Sequence, residues 1–299
     1  MTTKLDAKVI VVGAGPVGSV LARLLGRSGV RTVVLEKASF PRDKACGEGL
    51  MPGGVAVLER LGIDLAREGF PQIGRVSYRS PDAGPMFGAF RARRGLPGYG
   101  FGVRRVRFDA LLAERAGATP GVDLRTGWAV TAIAQAESGF RVETSGGTLT
   151  AERVVGADGL RSTTRGLLGW SKPALPPHRH ALVGHLTVPR HSVREVNVTL
   201  LPCNEVYVAP SGSDEVLAIV LGTPGSLRAP DTSVLDSYRR TVAAAHPEFA
   251  GAQCGRIRGA GPFRVSSRTV AEGGAFLVGE AFMRAPEPGA ELARLFFPR

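Results

Sequence analysis

No stretch of this sequence approaches the roughly 20 consecutive apolar residues that a helix needs to cross a bilayer. The longest apolar runs are strand-length and broken by Gly, Arg or Pro, so stable membrane insertion is not expected and a soluble chain is. Met1 to Lys8 are mostly polar and lead straight into a strand pattern at Val9, without an apolar signal region or a cleavage site. A cytoplasmic location is the expectation. Cysteine is scarce: Cys46, Cys203 and Cys254 are odd in number, far apart and without metal-ligand spacing, which disfavours a disulfide framework and a zinc site. Two of the three are expected to be buried as small apolar residues. Acids are outnumbered, 26 against 38 Lys and Arg, for a net charge of +12. The arginines are scattered and do not alternate with aromatics along one stripe, so nucleic acid is not the expected partner. An arginine-rich surface, or steering of an anionic substrate or a nicotinamide dinucleotide phosphate, accounts equally well for the charge. The five histidines suggest no metal pair, and His178 and His180 beside Pro176 and Pro177 read as a polar loop.

What is present begins at the N-terminus. Val9 to Val12 form a continuous apolar strand, the pattern of a parallel strand covered on both faces. Gly13-Ala14-Gly15-Pro16-Val17-Gly18 follows at once, with glycines at the places that serve a tight turn, close approach of backbone to a diphosphate, and helix-strand packing. A helix through Ser19 to Leu25 points its N-terminal amides at that diphosphate, and Gly29 ends it. A second apolar strand, Thr32 to Leu35, delivers Glu36 about twenty residues on, where a carboxylate accepts hydrogen bonds from ribose hydroxyls and disfavours a 2′-phosphate. Strand, turn, helix, strand and acid in this order predict dinucleotide binding.

Further along, short alternating strands separated by Pro, Gly, Ser and Asp occupy Arg75 to Arg91 and Ala181 to Gly222, which predicts an antiparallel sheet serving the substrate. Tyr99 and Tyr207 are candidates for the pocket wall, though a strand tyrosine equally serves packing. Gly95 to Gly100 reads as a loop or strand edge. No second nucleotide-binding unit is apparent.

Four segments carry a family resemblance. Val154-Val155-Gly156-Ala157-Asp158-Gly159 ends a strand in an Asp-Gly turn; Arg105 precedes Phe108-Asp109 and a leucine-bearing helix; Lys44-Ala45-Cys46-Gly47 follows the second strand; and Ala275 to Ala281 ends in Gly279-Glu280-Ala281. Together they resemble the FAD-dependent flavoprotein monooxygenases and their geranylgeranyl-reductase-like relatives, with a para-hydroxybenzoate-hydroxylase-like fold. The tryptophan run of the halogenating branch has no counterpart, since Trp128 and Trp170 lie far apart.

The resemblance implies an α/β fold: a Rossmann-type FAD-binding domain of the GR2-like kind, built from residues 1–74, 101–175 and 265–299, with an inserted antiparallel β-sheet substrate domain from 75–100 and 176–264. It implies FAD as cofactor, with NAD(P)H as a transient reductant, and a small hydrophobic or aromatic substrate. The cofactor-binding residues it implies are Gly13, Gly15, Pro16, Val17 and Gly18 in the turn, Glu36 and Lys37 at the adenosine end, and Cys46 on the flavin side. Arg105, Asp158 and Gly159 fall near the phosphates, with Val130, Gly279 and Glu280 completing the set. No catalytic acid or base is assigned, and oligomeric state is not legible. The implied activity is hydroxylation of an aromatic or polyketide-like molecule; the Lys44 to Gly47 run points alternatively to double-bond reduction. Glu280 stands where the family has Asp, Leu292 where relatives often have Gly, and only Pro286 to Ala290 partly resembles the proline-glycine loop against the flavin ring. The sequence therefore reads as C-terminally truncated, with a non-catalytic FAD-binding remnant as a third expectation.

Overall fold

The computed structural model describes residues 5–281 apart from 82, 175, 177 and 264. They form two compact units. One gathers the described residues within 1–43, 106–175 and 264–288, the other those within 44–105 and 176–263.

The first unit is built on parallel strands in the order Ala275–Leu277, Gly147–Gly156, Ala7–Val12, Thr32–Glu36 and Val122–Thr126. Val9, Val11, Val34 and Val155 pack with Ala22 and Ala116 of helices Pro16–Arg27 and Arg105–Gly117. On the opposite face Ile10, Val12, Val33, Leu35 and Val154 meet Phe140, Val142 and Trp170. Both faces are therefore dry, which is why these strands read as unbroken apolar runs. Successive crossovers carry the chain from Ala7–Val12 to Thr32–Glu36 on one side, while Gly147–Gly156 lies on the other. The topological switch thus falls at the C-terminal end of Ala7–Val12, the edge where doubly wound sheets take ligands. Val12 stands opposite both Leu35 and Gly156, and Gly156 opposite Leu277, so the strand ends form one level rim.

The second unit carries a sheet ordered Gln253–Cys254, His180–Thr187, Glu215–Gly222, Asn204–Pro210, Val196–Leu200, Arg75–Ser80 and Ala83–Ala89. All neighbours are antiparallel except Val196–Leu200 with Arg75–Ser80. Helix Val234–Ala245 covers one face through Tyr238 and Val242, while Val183, Leu217 and Ile219 with Ala45, Tyr207 and Phe263 form the other. Residues 44–74 and 101–105 group with this unit, although the sequence placed them with the nucleotide domain. Their pairing explains it: Gly49–Leu50 and Gln72–Ile73 both flank Gly100–Gly102 in a small sheet.

Two local expectations are corrected. His180 opens a strand, because its backbone pairs with Gly222. None of the three cysteines is fully buried: Cys46 and Cys254 are half-buried, and Cys203 is exposed in the turn between Val196–Leu200 and Asn204–Pro210. No helix among the described residues is long and apolar enough to cross a membrane, and no group of three or more metal-ligating side chains occurs among them.

Candidate functional site

Five residues of the glycine turn lie at the switch point. Gly13 has φ +101°, and a Cβ there would stand 2.7 Å from the Ala157 carbonyl oxygen. At Gly18 a Cβ would be 1.8 Å from the Gly13 carbonyl oxygen, so only glycine lets helix and turn meet. Gly15 is the N-cap of helix Pro16–Arg27; no side chain caps it, Pro16 opens the helix, and its first turn holds no acid. The positive end of that helix is therefore left to an anion from outside. Val17 is exposed at this end.

Glu36 closes the turn from the neighbouring strand. It is buried, and Oε2 accepts from the Ala14 amide at 3.0 Å and from Arg42 Nη2 at 3.2 Å, while Oε1 accepts from the Ala38 amide at 3.1 Å. A carboxylate offers about four acceptor positions, so room for a hydroxyl donor remains. Arg42 also donates through Nη1 to Asp109 Oδ2 at 2.8 Å and lies over the Phe40 ring, 5.2 Å from its centroid. Its Nε is buried with no hydrogen-bond partner among the described residues. Sequence reasoning missed Arg42: its partners are Glu36 and the Asp109 of the Phe-Asp pair 67 positions away, a separation no local pattern shows.

The Asp-Gly turn lies on the far side of Gly13. Asp158 spends both carboxylate oxygens within the chain, accepting from Ser162 Oγ through Oδ1 and, through Oδ2, from the Thr164 amide at 2.9 Å and hydroxyl at 3.0 Å. It thereby holds Ser162, the N-cap of the short helix Thr163–Leu167, whose Oγ accepts from the Arg165 amide at 2.9 Å, and fixes the turn in which Gly159 takes φ +83°. Arg165, also missed, is buried and donates to the Leu160 and Ala281 carbonyls at 2.8 and 3.0 Å. Burial lowers its pKa, and the Asp158 charge opposes that. Gly279 has φ +60°, and a Cβ on it would come within 2.8 Å of Val17 Cγ2. The late strand thus ends against the start of the glycine-turn helix.

The remaining expected residues are dispersed. Lys37 and Glu280 are exposed, and Val130 is half-buried against the core of the first unit. Cys46 and Arg105 belong to the second unit, where Arg105 is buried and its amide donates to Glu48 Oε1 at 2.9 Å. The segment from Pro286 to Leu292 lies outside the described residues.

On the sheet face of the second unit opposite helix Val234–Ala245, Tyr207 donates to Glu205, which also accepts from Arg179 Nη2 at 2.6 Å. Tyr78 stands across Val198 from Tyr207, and its hydroxyl is buried with no partner among the described residues. Burial, and then Glu205, push the pKa of both phenols upward, so both stay protonated as donors at neutral pH.

A switch-point rim lined by a glycine turn, an open helix N-terminus and a buried acid defines a Rossmann-type dinucleotide-binding protein. The sequence profile of the FAD binding domain family matches residues 6–289, and the chain belongs to that family. Its dinucleotide is accordingly FAD. The chain is 34% identical over 205 residues to a menaquinone reductase of Mycolicibacterium smegmatis, covering 64% of this chain and 46% of that protein. It is 32% identical over 241 residues to a rifampicin monooxygenase of Streptomyces venezuelae, covering 79% of this chain and 50% of the relative. Thus the chain spans about half the length of these curated relatives. A flavoprotein/dehydrogenase from Cytophaga hutchinsonii shares the fold with a TM-score of 0.84 at 23% identity, over 97% of this chain and 74% of that structure.

The residues present fit FAD. A Cβ would fill the Gly13 cradle, no side chain among the described residues caps the helix start, and the buried Arg42 Nε beside the acid has no hydrogen-bond partner among them.

Proposed function

We propose that the protein is a FAD-dependent monooxygenase that hydroxylates an aromatic or polyketide-like small molecule with NAD(P)H and O2. The observation that carries this reading is the joined glycine turn and acid, in which the Ala14 amide donates to Glu36 at 3.0 Å. The family match and the monooxygenase among its relatives support it. When bound, FAD supplies the redox chemistry, accepting hydride and activating oxygen. The backbone at Gly13, Gly15, Pro16, Val17 and Gly18 holds the diphosphate by close approach and by the helix dipole. Glu36 accepts from the adenosine ribose, with Arg42 holding its carboxylate in place, and Lys37 sits exposed beside it. Asp158 and Gly159 shape the turn behind the phosphates, and Arg105, Val130, Cys46, Gly279 and Glu280 complete the proposed contacts. The Tyr78 hydroxyl, without a partner among the described residues, offers a donor to a polar substituent of a substrate lying on the sheet face, and the Tyr207 oxygen, its hydrogen given to Glu205, offers an acceptor.

The Lys44-Ala45-Cys46-Gly47 run and the menaquinone reductase among the relatives favour a second reading, flavin-dependent reduction of a carbon-carbon double bond. An oxygen electrode separates the two. Substrate-dependent oxygen uptake matched to NADPH consumption supports hydroxylation; substrate-dependent NADPH consumption without oxygen uptake supports reduction and overturns the first reading. A folded protein that stays colourless after reconstitution with FAD would exclude both.

A further inference from the structure

Glu48 is a buried acid that no sequence pattern singled out. It is 3% exposed and has φ 53°, a backbone region that non-glycine residues seldom occupy. Donors converge on it from three segments. The Arg105 amide reaches Oε1 at 2.9 Å, Arg104 Nη1 lies 3.5 Å from the same oxygen, and Ser211 Oγ donates to Oε2 at 3.4 Å. Arg104 Nε and Ser211 Oγ also meet Glu215 Oε1, at 2.9 and 3.1 Å. The remaining contact is His185, whose Nε2 is 2.9 Å from Glu48 Oε2.

Chemistry fixes the direction of that contact. An ionised carboxylate only accepts, so Nε2 carries the hydrogen, and in the neutral ring the lone pair is on Nδ1. Nδ1 makes no hydrogen bond within the described residues, and the His185 side chain keeps 10% exposure. The ring stands opposite Leu217 on strand His180–Thr187, on the sheet face of Val183 and Ile219, away from helix Val234–Ala245. A tautomer locked by a buried acid, with its second nitrogen unengaged, is the arrangement that enzymes use for a histidine that moves protons.

We propose that His185 takes the proton of a phenolic or enolic substrate hydroxyl bound on this sheet face, and that Glu48 is the positioning residue that holds the ring for it. This rests on the hydroxylation reading. In the step the substrate O–H bond breaks and an Nδ1–H bond forms; no electrons are transferred, and the resulting oxyanion makes the adjoining carbon a better nucleophile. The charged and polar groups facing the pair among the described residues are Arg104, Glu215 and the Ser211 hydroxyl.

The test uses the full chain labelled with 15N-histidine, in which the His185 ring signals are those missing from His185→Gln. Wild-type protein is expected to show the neutral His185 ring with its hydrogen on Nε2, and Glu48→Gln to show a tautomer mixture; a hydrogen on Nδ1, or an unchanged ring in Glu48→Gln, overturns the proposal. In a second measurement, 3-nitrophenol, a weak acid that stays mostly protonated in neutral buffer, is mixed with excess protein at about pH 7, above the ordinary histidine pKa, where an imidazole is mostly uncharged and free to accept a proton. The expected result is a phenolate band in the wild type that falls about tenfold or more in His185→Gln. No band in the wild type, or an equal band in the variant, refutes the proton transfer. Neither readout needs turnover, so an absence of NADPH-driven oxygen uptake would count against the hydroxylation reading alone.

Discussion

The Ala14 amide donates to Glu36 Oε2 at 3.0 Å, fastening the glycine turn to the acid of the next strand across 22 positions of sequence. Turn and acid therefore act as one element, and a change to either disturbs the other.

Gly18 is the tightest point of that element. Gly18→Ala places a methyl 1.8 Å from the Gly13 carbonyl oxygen, which backbone cannot yield to cheaply. Loss of stability at the upper end of about 1–3 kcal/mol is expected, with FAD retention falling in parallel. Thermal melting with and without added FAD checks both.

Arg42 is one cation placed between two buried carboxylates, at 3.2 Å from Glu36 and 2.8 Å from Asp109. Arg42→Ala is expected to cost about 3 kcal/mol in urea unfolding. Arg42→Lys recovers only part of this, because an ammonium cannot reproduce the guanidinium fork. Equal midpoints for wild type and Arg42→Ala would remove Arg42 from the account.

Tyr78 and Tyr207 are expected to respond in opposite ways. The Tyr78 hydroxyl is buried without a partner among the described residues, so Tyr78→Phe is neutral or stabilising by up to about 1 kcal/mol. Tyr207→Phe removes a hydrogen bond to the Glu205 carboxylate and costs about 1.5–3 kcal/mol. Urea midpoints at neutral pH measure both.

Burial, followed by Glu205, raises the pKa of the same two phenols. The folded chain keeps these protons at pH values where the unfolded chain has lost them, so their contribution is complete below about pH 10 and declines as pH rises past it. Unfolding midpoints followed from about pH 8 to pH 11 should fall, and fall less steeply in Tyr207→Phe. A steeper fall in the variant would contradict the sign.

The nucleotide half of the fold was readable because its signals are local. Val9 to Val12, the glycines at 13, 15 and 18, and Glu36 follow one another within a single strand-helix-strand unit, and their burial on both faces leaves an unbroken apolar pattern. The Asp158-Gly159 turn is visible in the sequence, yet nothing local shows that the Asp158 carboxylate is spent on Ser162 and Thr164. Residues 44–74 follow the second strand in the chain, whereas the strands within them pair with Gly100–Gly102, a partner that no local pattern shows. Glu48 and His185 stand 137 positions apart and meet only through folding, so neither could be read in advance.

Calorimetric titration of the full chain with FAD measures whether the glycine turn and Glu36 hold the dinucleotide. Saturable binding by the wild type is expected, weakening about tenfold or more, roughly 1.4 kcal/mol or above, when Glu36 is replaced by Ala. A folded wild-type chain that releases no heat with FAD and retains none on filtration, or a Glu36→Ala chain that binds it equally well, would contradict the account.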